Sequence, residues 1–349
     1  MQEAATQLDL DIEFHAVSCT AHGDLCKHSD IKSFPTIRLY KANQDEIIPI
    51  EYWKLHPFGV LRLLGIEVEG QGGIVDKHDN SKVIAKVKPV RSAETIARTK
   101  QDVYNDAFLS FDFALRTNIF LSTGSLEDST RTAFDKWVDL LGYALPPTWK
   151  IQKTIRAIRD DFEEAVESEE SLVKLTEDYR PEVTEWSKSC TKGEPHAGYT
   201  CGLWELFHIM TVGVYEYNLM VTTEWDVIHT AEAADILHDY IANFFTCEEC
   251  RRNFLQSFDA CDHDRCSRLG SSTKDEHEWK QLALWLWETH NGVNVRLMKE
   301  KAQREGRMVT EEDERRAMWP SRLQCSTCWR EDGTWDDDTI FKFLRISYW

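Results

Sequence analysis

Residues 284–297 read LWLWETHNGVNVRL, and their apolar positions recur at spacings of three and four. Leu286, His290, Val293 and Leu297 form one stripe, which predicts a helix over about 275–298. His290, Asn291 and Asn294 set hydrogen-bonding groups along that apolar face, where a buried polar group must find a partner. The same period runs through CGLWELFHIMTVG at 201–213, with Trp204 and His208 four apart on one helix. Further helices are expected at about 202–220, 229–246, 248–258 and 336–346, so the last part of the chain reads as largely helical.

Working outward, the chemistry is concentrated in this part. Ten of the thirteen tryptophans and eight of the ten cysteines lie after residue 150. The cysteines fall into five neighbouring pairs, Cys19/Cys26, Cys190/Cys201, Cys247/Cys250, Cys261/Cys266 and Cys325/Cys328. Such pairing points to disulfides in an oxidising compartment, or to metal. The formal net charge is −19, which argues against nucleic acid, because a phosphate-binding surface needs clustered Lys and Arg. No stretch approaches the roughly 18 apolar residues of a membrane-spanning helix. The opening MQEAATQLDLDIEF lacks the basic and apolar regions of a signal peptide, so the chain reads either as cytosolic or as missing its true N-terminus. The 349 residues, 42% of them hydrophobic, suffice for the cores of two or three domains.

Toward the N-terminus, 12–18 (IEFHAVS) and 36–40 (TIRLY) predict short strands with a helical stretch between them that ends before Phe34-Pro35. That part is α/β in character. A Gly- and Lys-rich stretch around 70–95 reads as a linker. From 96 the period is helical again, with Val103, Tyr104, Ala107, Phe108, Phe111 and Leu115 on one face, then Phe134, Trp137, Val138 and Leu141 on another. Pro146-Pro147 stops the second helix. The acidic run at 160–170 reads as a solvated helix face, and nothing in 96–182 looks chemical.

Cys247-Glu248-Glu249-Cys250 precedes a helical pattern and so sits at a helix N-terminus. There the unpaired backbone N–H groups favour a thiolate, while the two glutamates oppose it. Three readings compete: a redox dithiol, a structural disulfide, and half of a zinc site completed by Cys325 and Cys328. The aromatic and polar residues around His208 and His290 likewise admit two readings. One is a satisfied core network; the other, favoured by Trp285, Trp287 and Trp319, is the wall of a flat aromatic cofactor such as a flavin.

CGLWELFHIMTVG at 201–213, FFTCEEC at 244–250, LWLWETHNGVNVRL at 284–297 and WPSRLQCSTC at 319–328 resemble, in order and spacing, the Erv/ALR flavin-dependent sulfhydryl oxidases of the quiescin type. The resemblance covers 183–349, and Cys19 to Tyr40 is similar to the second half of that family's thioredoxin domain. It implies a mainly α chain with an α/β N-terminal part. The parts would be an incomplete thioredoxin-like fold (1–70), a linker (71–95), a helix-rich spacer (96–182) and an Erv-type helical bundle enclosing FAD (183–349). It implies that Cys250 is the flavin-proximal sulfur and Cys247 the interchange sulfur that meets incoming dithiols. FAD would be held by Trp204, His208, His290, Asn291, Val293 and Asn294, with Trp287, Trp319, Glu249 and Asn253 alongside and Arg316 at the phosphates.

Cys19–Cys26 and Cys190–Cys201 would be structural bridges, Cys325 and Cys328 an auxiliary CxxC, and Pro35 a cis-proline; no metal is implied. Cys261 and Cys266 match no family position and read as an extra surface disulfide. The implied activity is oxidation of dithiols or reduced proteins by oxygen, in the secretory pathway. Two departures stand out. Ala197 takes the place of a family arginine, so another group must meet the cofactor there. The thioredoxin CxxC would lie ahead of Met1, which predicts a preference for small dithiols.

Overall fold

The computed structural model of the chain describes residues 23–29, 31, 37–40, 47–50, 66–69, 73–76, 83–86, 98–120, 125–191 and 197–349. It divides into two compact units, Met1–Glu94 and Thr95–Trp349.

In the first unit a short helix, α1 (Gly23–His28), precedes the strands β1 (Ile37–Tyr40) and β2 (Ile47–Ile50), which pair antiparallel with Ile37 opposite Ile50. A second sheet is antiparallel in the order β3 (Ile66–Glu69), β4 (Gly73–Asp76), β5 (Val83–Lys86). Strands β4 and β5 thus occupy part of the stretch that the composition reads as a linker. Cys26 is buried and disulfide-bonded. Cys19, Pro35 and the strand expected at 12–18 lie outside the described residues.

The second unit is helical, and one apolar core runs through it from Val103 to Tyr348. Its first helices are α2 (Lys100–Thr117), α3 (Asp128–Ala144) and α4 (Ile151–Asp160). Thr99 opens α2 with a capping box closed by Asp102, and α3 stops at the Leu145 cap before Pro146. The acidic run forms two short helices, α5 (Phe162–Glu167) and α6 (Glu169–Thr176), broken where Ser168 turns extended and caps α6. Its glutamates face outward while Ala165 and Val166 are buried.

At the centre stands α7 (Ala197–Met220), apolar nearly all round, which packs against α2 and α3. Also against it pack α8 (Thr230–Phe244), α10 (Glu276–Arg304) and α12 (Asp337–Tyr348), while α9 (Glu248–Asp259) packs on α8 and α11 (Glu311–Ala317) on α10. The core therefore crosses residue 182, and α2 and α3 form part of the wall around α7.

Two glycines let α7 come close to its neighbours. A Cβ on Gly202 would lie 2.2 Å from the Asp106 carbonyl oxygen, and one on Gly213 only 1.6 Å from that of Ala144. Backbone cannot give way cheaply at such contacts, so Gly213→Ala is expected to cost about 2 kcal/mol and lower Tm by roughly 4–8 °C. A thermal scan of the two proteins checks this; an unchanged midpoint would contradict the close packing.

Candidate functional site

Helices α7 and α10 cross with their polar residues face to face. His208, fully buried on α7, meets His290 of α10 with 3.0 Å between His208 Nε2 and His290 Nδ1. Trp204, one turn earlier on α7, lies parallel over the His290 ring at 4.1 Å. On its other side His208 stacks against Tyr348 of α12 at 4.9 Å. Burial, then the neighbouring His290 and Arg98, hold His208 well below the usual histidine pKa, so it is neutral at pH 7. Its Nδ1 is buried with no hydrogen-bond partner.

Asn291 and Trp287 serve a third element. The Asn291 amide accepts from the Trp319 N–H and donates to the Trp319 carbonyl, both at 2.8 Å, and Trp287 Nε1 donates to the same carbonyl at 2.6 Å. Their polar atoms position Trp319, which precedes a cis bond to Pro320 and brings its ring to 5.9 Å from His208. Beyond Asn291 the expected buried stripe opens: Val293 and Asn294 are half-buried and Leu297 is 48% exposed. Farther along α10, Lys299 pairs with Glu314 of α11 at 2.7 Å.

These residues fit a flat aromatic cofactor. They offer stacking rings, an unpartnered buried nitrogen at His208 and an uncovered apolar flank next to Asn294. Arg316, expected at the phosphates, is exposed on α11 and paired with Glu312 of its own helix at 3.0 Å.

Cys247 and Cys250 form a disulfide at the head of α9. Cys247 is the cap residue, and its Sγ accepts from the Cys250 N–H at 3.3 Å. Both are half-buried, Glu249 is exposed in the first turn, and Asn253 is half-buried one turn on. At the far end of α9, Phe258 packs edge-on against Trp285 of α10 at 5.9 Å. So α10 touches the dithiol helix through Trp285 and the histidine pair through His290.

Glu248 and Glu249 sit where the helix N-terminus would otherwise lower a thiol pKa, and opposing charges there are worth about 0.3–1 kcal/mol each. Replacing both by glutamine is expected to speed alkylation of reduced Cys247 at pH 7 by roughly threefold. Iodoacetamide labelling across pH would show an equal rate if the glutamates have no influence.

The other sulfurs are also paired. Cys190–Cys201, Cys261–Cys266 and Cys325–Cys328 are disulfides, with Cys328 fully buried. Cys325–Cys328 borders the tryptophans: Trp329 lies 3.6 Å from Trp335, which meets Trp287 at 4.9 Å. Among the described residues the sole cluster of three metal-capable groups is Cys190, Cys201 and Glu205, so Cys247/Cys250 and Cys325/Cys328 do not converge on a four-sulfur site.

Arg98, Glu205 and Tyr348 escaped sequence reading altogether. Arg98, just ahead of α2, forms an ion pair with buried Glu205 of α7. Glu205 lies on the same helix face as Ala197, Cys201 and His208, so a guanidinium does reach that face, two turns beyond Ala197. The pair is 107 residues apart in sequence, and no local pattern marks it.

Residues 201–315 match the Erv1 / Alr family. Among curated relatives, the chain is 34% identical over 170 residues to sulfhydryl oxidase 1 of rice, covering 47% of this chain and 27% of that protein. It is 27% identical over 234 residues to human sulfhydryl oxidase 1, covering 64% of this chain and 29% of that protein. The chain thus spans between a quarter and a third of the length of these relatives. Among solved structures, the sulfhydryl oxidase fragment of human QSOX1 superposes with a TM-score of 0.54 at 22% identity, covering 72% of this chain and 97% of that one. That likeness shows a shared fold, the Erv-type helical bundle.

Proposed function

We propose, from the match of residues 201–315 to the Erv1 / Alr family, that the chain is an FAD-dependent thiol oxidase of the quiescin type. The observation that carries the reading is the joining, through one helix, of a half-buried Cys247–Cys250 disulfide to a buried His208 with an open Nδ1, paired to the half-buried His290. Trp204, His208, His290, Val293 and Asn294 would hold the cofactor directly, while Trp287 and Asn291 fix Trp319 beside it. Bound FAD would supply the two-electron acceptor that links a dithiol to oxygen, so that dithiol and O2 become disulfide and H2O2.

The chain's own part is thiol exchange. An incoming thiolate attacks Cys247 Sγ and releases the Cys250 thiolate; the second substrate thiol then attacks the mixed disulfide, leaving an oxidised substrate and a reduced pair. The backbone N–H groups at the head of α9 favour the released thiolate. A neutral His208 neither carries charge into the apolar core nor repels a cation nearby.

The 349 residues contain no CxxC ahead of Cys247, so on their own they should oxidise dithiothreitol faster than a reduced, unfolded protein. The disulfides of the second unit suit an oxidising compartment such as the secretory pathway. The test is a visible absorption spectrum of the purified chain followed by oxygen uptake and peroxide release on adding dithiothreitol. A flavin band with uptake is expected. A colourless, folded chain that takes up no oxygen even when supplied with FAD would overturn the reading in favour of a non-catalytic scaffold.

A further inference from the structure

We propose that the loop closed by Cys261–Cys266 is a clamp that fixes the dithiol helix α9 against α10, with His263 and Arg268 as its positioning residues. After α9 the chain passes through Cys261, His263 and Asp264, all with left-handed backbone at φ 58°, 56° and 58°. Non-glycine residues rarely adopt this conformation, and it persists only where the surroundings enforce it.

Here the enforcement is visible on both sides. Toward α9, the disulfide closes the loop, Ser257 donates to Asp262 at 2.7 Å, and Arg265 donates to the Phe258 carbonyl with its guanidinium 3.6 Å over the Phe258 ring. Toward α10, the Arg268 guanidinium reaches Gln281 at 3.0 Å and Glu288 at 2.7 Å, and it also holds the His263 carbonyl at 3.2 Å. His263 Nδ1 lies 3.8 Å from Glu288, and its Nε2 is 3.2 Å from where a Cβ on Gly292 would stand. The clamp therefore grips α10 from Gln281 to Gly292, about 16 Å of helix.

Gly292 separates Asn291 from Val293, and the other end of α9 carries Cys247 and Cys250. Helix α8 packs against both helices, with His238 4.6 Å from the Phe258 ring, and Phe258 meets Trp285; the loop adds the polar ties between them. Holding reacting groups in place is worth about a hundredfold in rate per ångström of misplacement, so loosening the clamp should slow transfer from the dithiol without altering how the dithiol is reduced.

Two variants test this: Cys261→Ser/Cys266→Ser, and Arg268→Gln, which leaves the disulfide intact should the first fail to fold. Hydrogen exchange in the chain without cofactor is expected to show α9 amides exchanging at least about tenfold faster while α2 and α7 keep their protection. In a single turnover of the flavin-loaded Arg268→Gln chain with stoichiometric dithiothreitol, thiol labelling should show Cys247–Cys250 reduced at the parent rate. Bleaching of the visible band should be about ten- to a hundredfold slower. Unchanged α9 exchange, or bleaching as fast as in the parent, overturns the proposal. The kinetic arm rests on the flavin reading; the exchange arm does not, and decides alone if the chain binds no flavin.

Discussion

Cys250→Ser is expected to lower dithiothreitol-driven oxygen uptake by roughly a thousandfold or more, the scale of losing a residue on which every turnover depends. The argument starts from electron count. Oxidising a dithiol removes two electrons, and the Cys247–Cys250 disulfide accepts both by breaking one S–S bond. With serine at 250, Cys247 can still join a mixed disulfide, but no internal thiol resolves it and no reduced pair forms. The Cys250→Ser chain should therefore take up one glutathione at Cys247 when mixed with glutathione disulfide, as mass spectrometry would show, while circular dichroism stays as in the parent. Among the described disulfides of the second unit the other pairs provide no bypass, because Cys190–Cys201 and Cys325–Cys328 each contain a deeply buried cysteine and Cys261–Cys266 lies at the far end of α9. Uptake above about a tenth of the parent rate would show that another disulfide feeds oxygen reduction, and the role given to Cys250 would be wrong.

Legibility in the sequence followed the range of each interaction. Helices α2 and α3 are written in local periodicity as apolar faces, and the spans expected for α7, α8, α9, α10 and α12 agree with the observed ones to within a few residues at most ends. The stripe of α10 misled in one respect, since Leu297 has the right spacing yet faces outward, because periodicity does not say where the neighbouring helix ends. Trp287 and Asn291 were legible as a cluster but not in their task, which depends on a backbone segment 28 residues and more further on. Motif spacing likewise placed Arg316 near a phosphate site, whereas its observed partner is Glu312, four residues back. Least legible was the contribution of 96–182. Its helices carry no motif, yet the segment supplies Arg98 to Glu205 and Asp106 to the turn at Ser187. Charged partners far apart in sequence leave no periodic trace, and only the fold brings them together.

Arg98→Ala is expected to destabilise the second unit by about 3–5 kcal/mol, because it leaves the Glu205 carboxylate buried without its cation. The Glu205 side chain is 4% exposed and that of Arg98 27%. Burial pushes the Glu205 carboxyl above its ordinary pKa, and Arg98 pulls it back. Glu205 also borders Tyr348, whose phenol burial raises well above the usual value, with Glu205 adding to the shift; Tyr348 in turn stacks on His208. The pair thus lies under the histidines, and its loss should loosen the site as well as the core. The sign of the pH dependence follows from the raised carboxyl. Between the unfolded and folded pKa values the folded state binds the extra proton, so stability falls as pH rises through that window. Without Arg98 the window reaches higher. The difference between parent and variant should therefore be largest at neutral pH and shrink as pH falls toward the unfolded pKa, where Glu205 is protonated in both. Arg98→Met combined with Glu205→Leu should recover most of the loss, since replacing both members of a buried pair with apolar residues is nearly neutral. Urea denaturation of the three proteins at pH 7 and at the lowest pH where the parent folds reversibly measures all of this. A variant destabilised equally at both pH values, or a double variant no more stable than the single one, would show that Arg98 acts through packing rather than through the charge of Glu205.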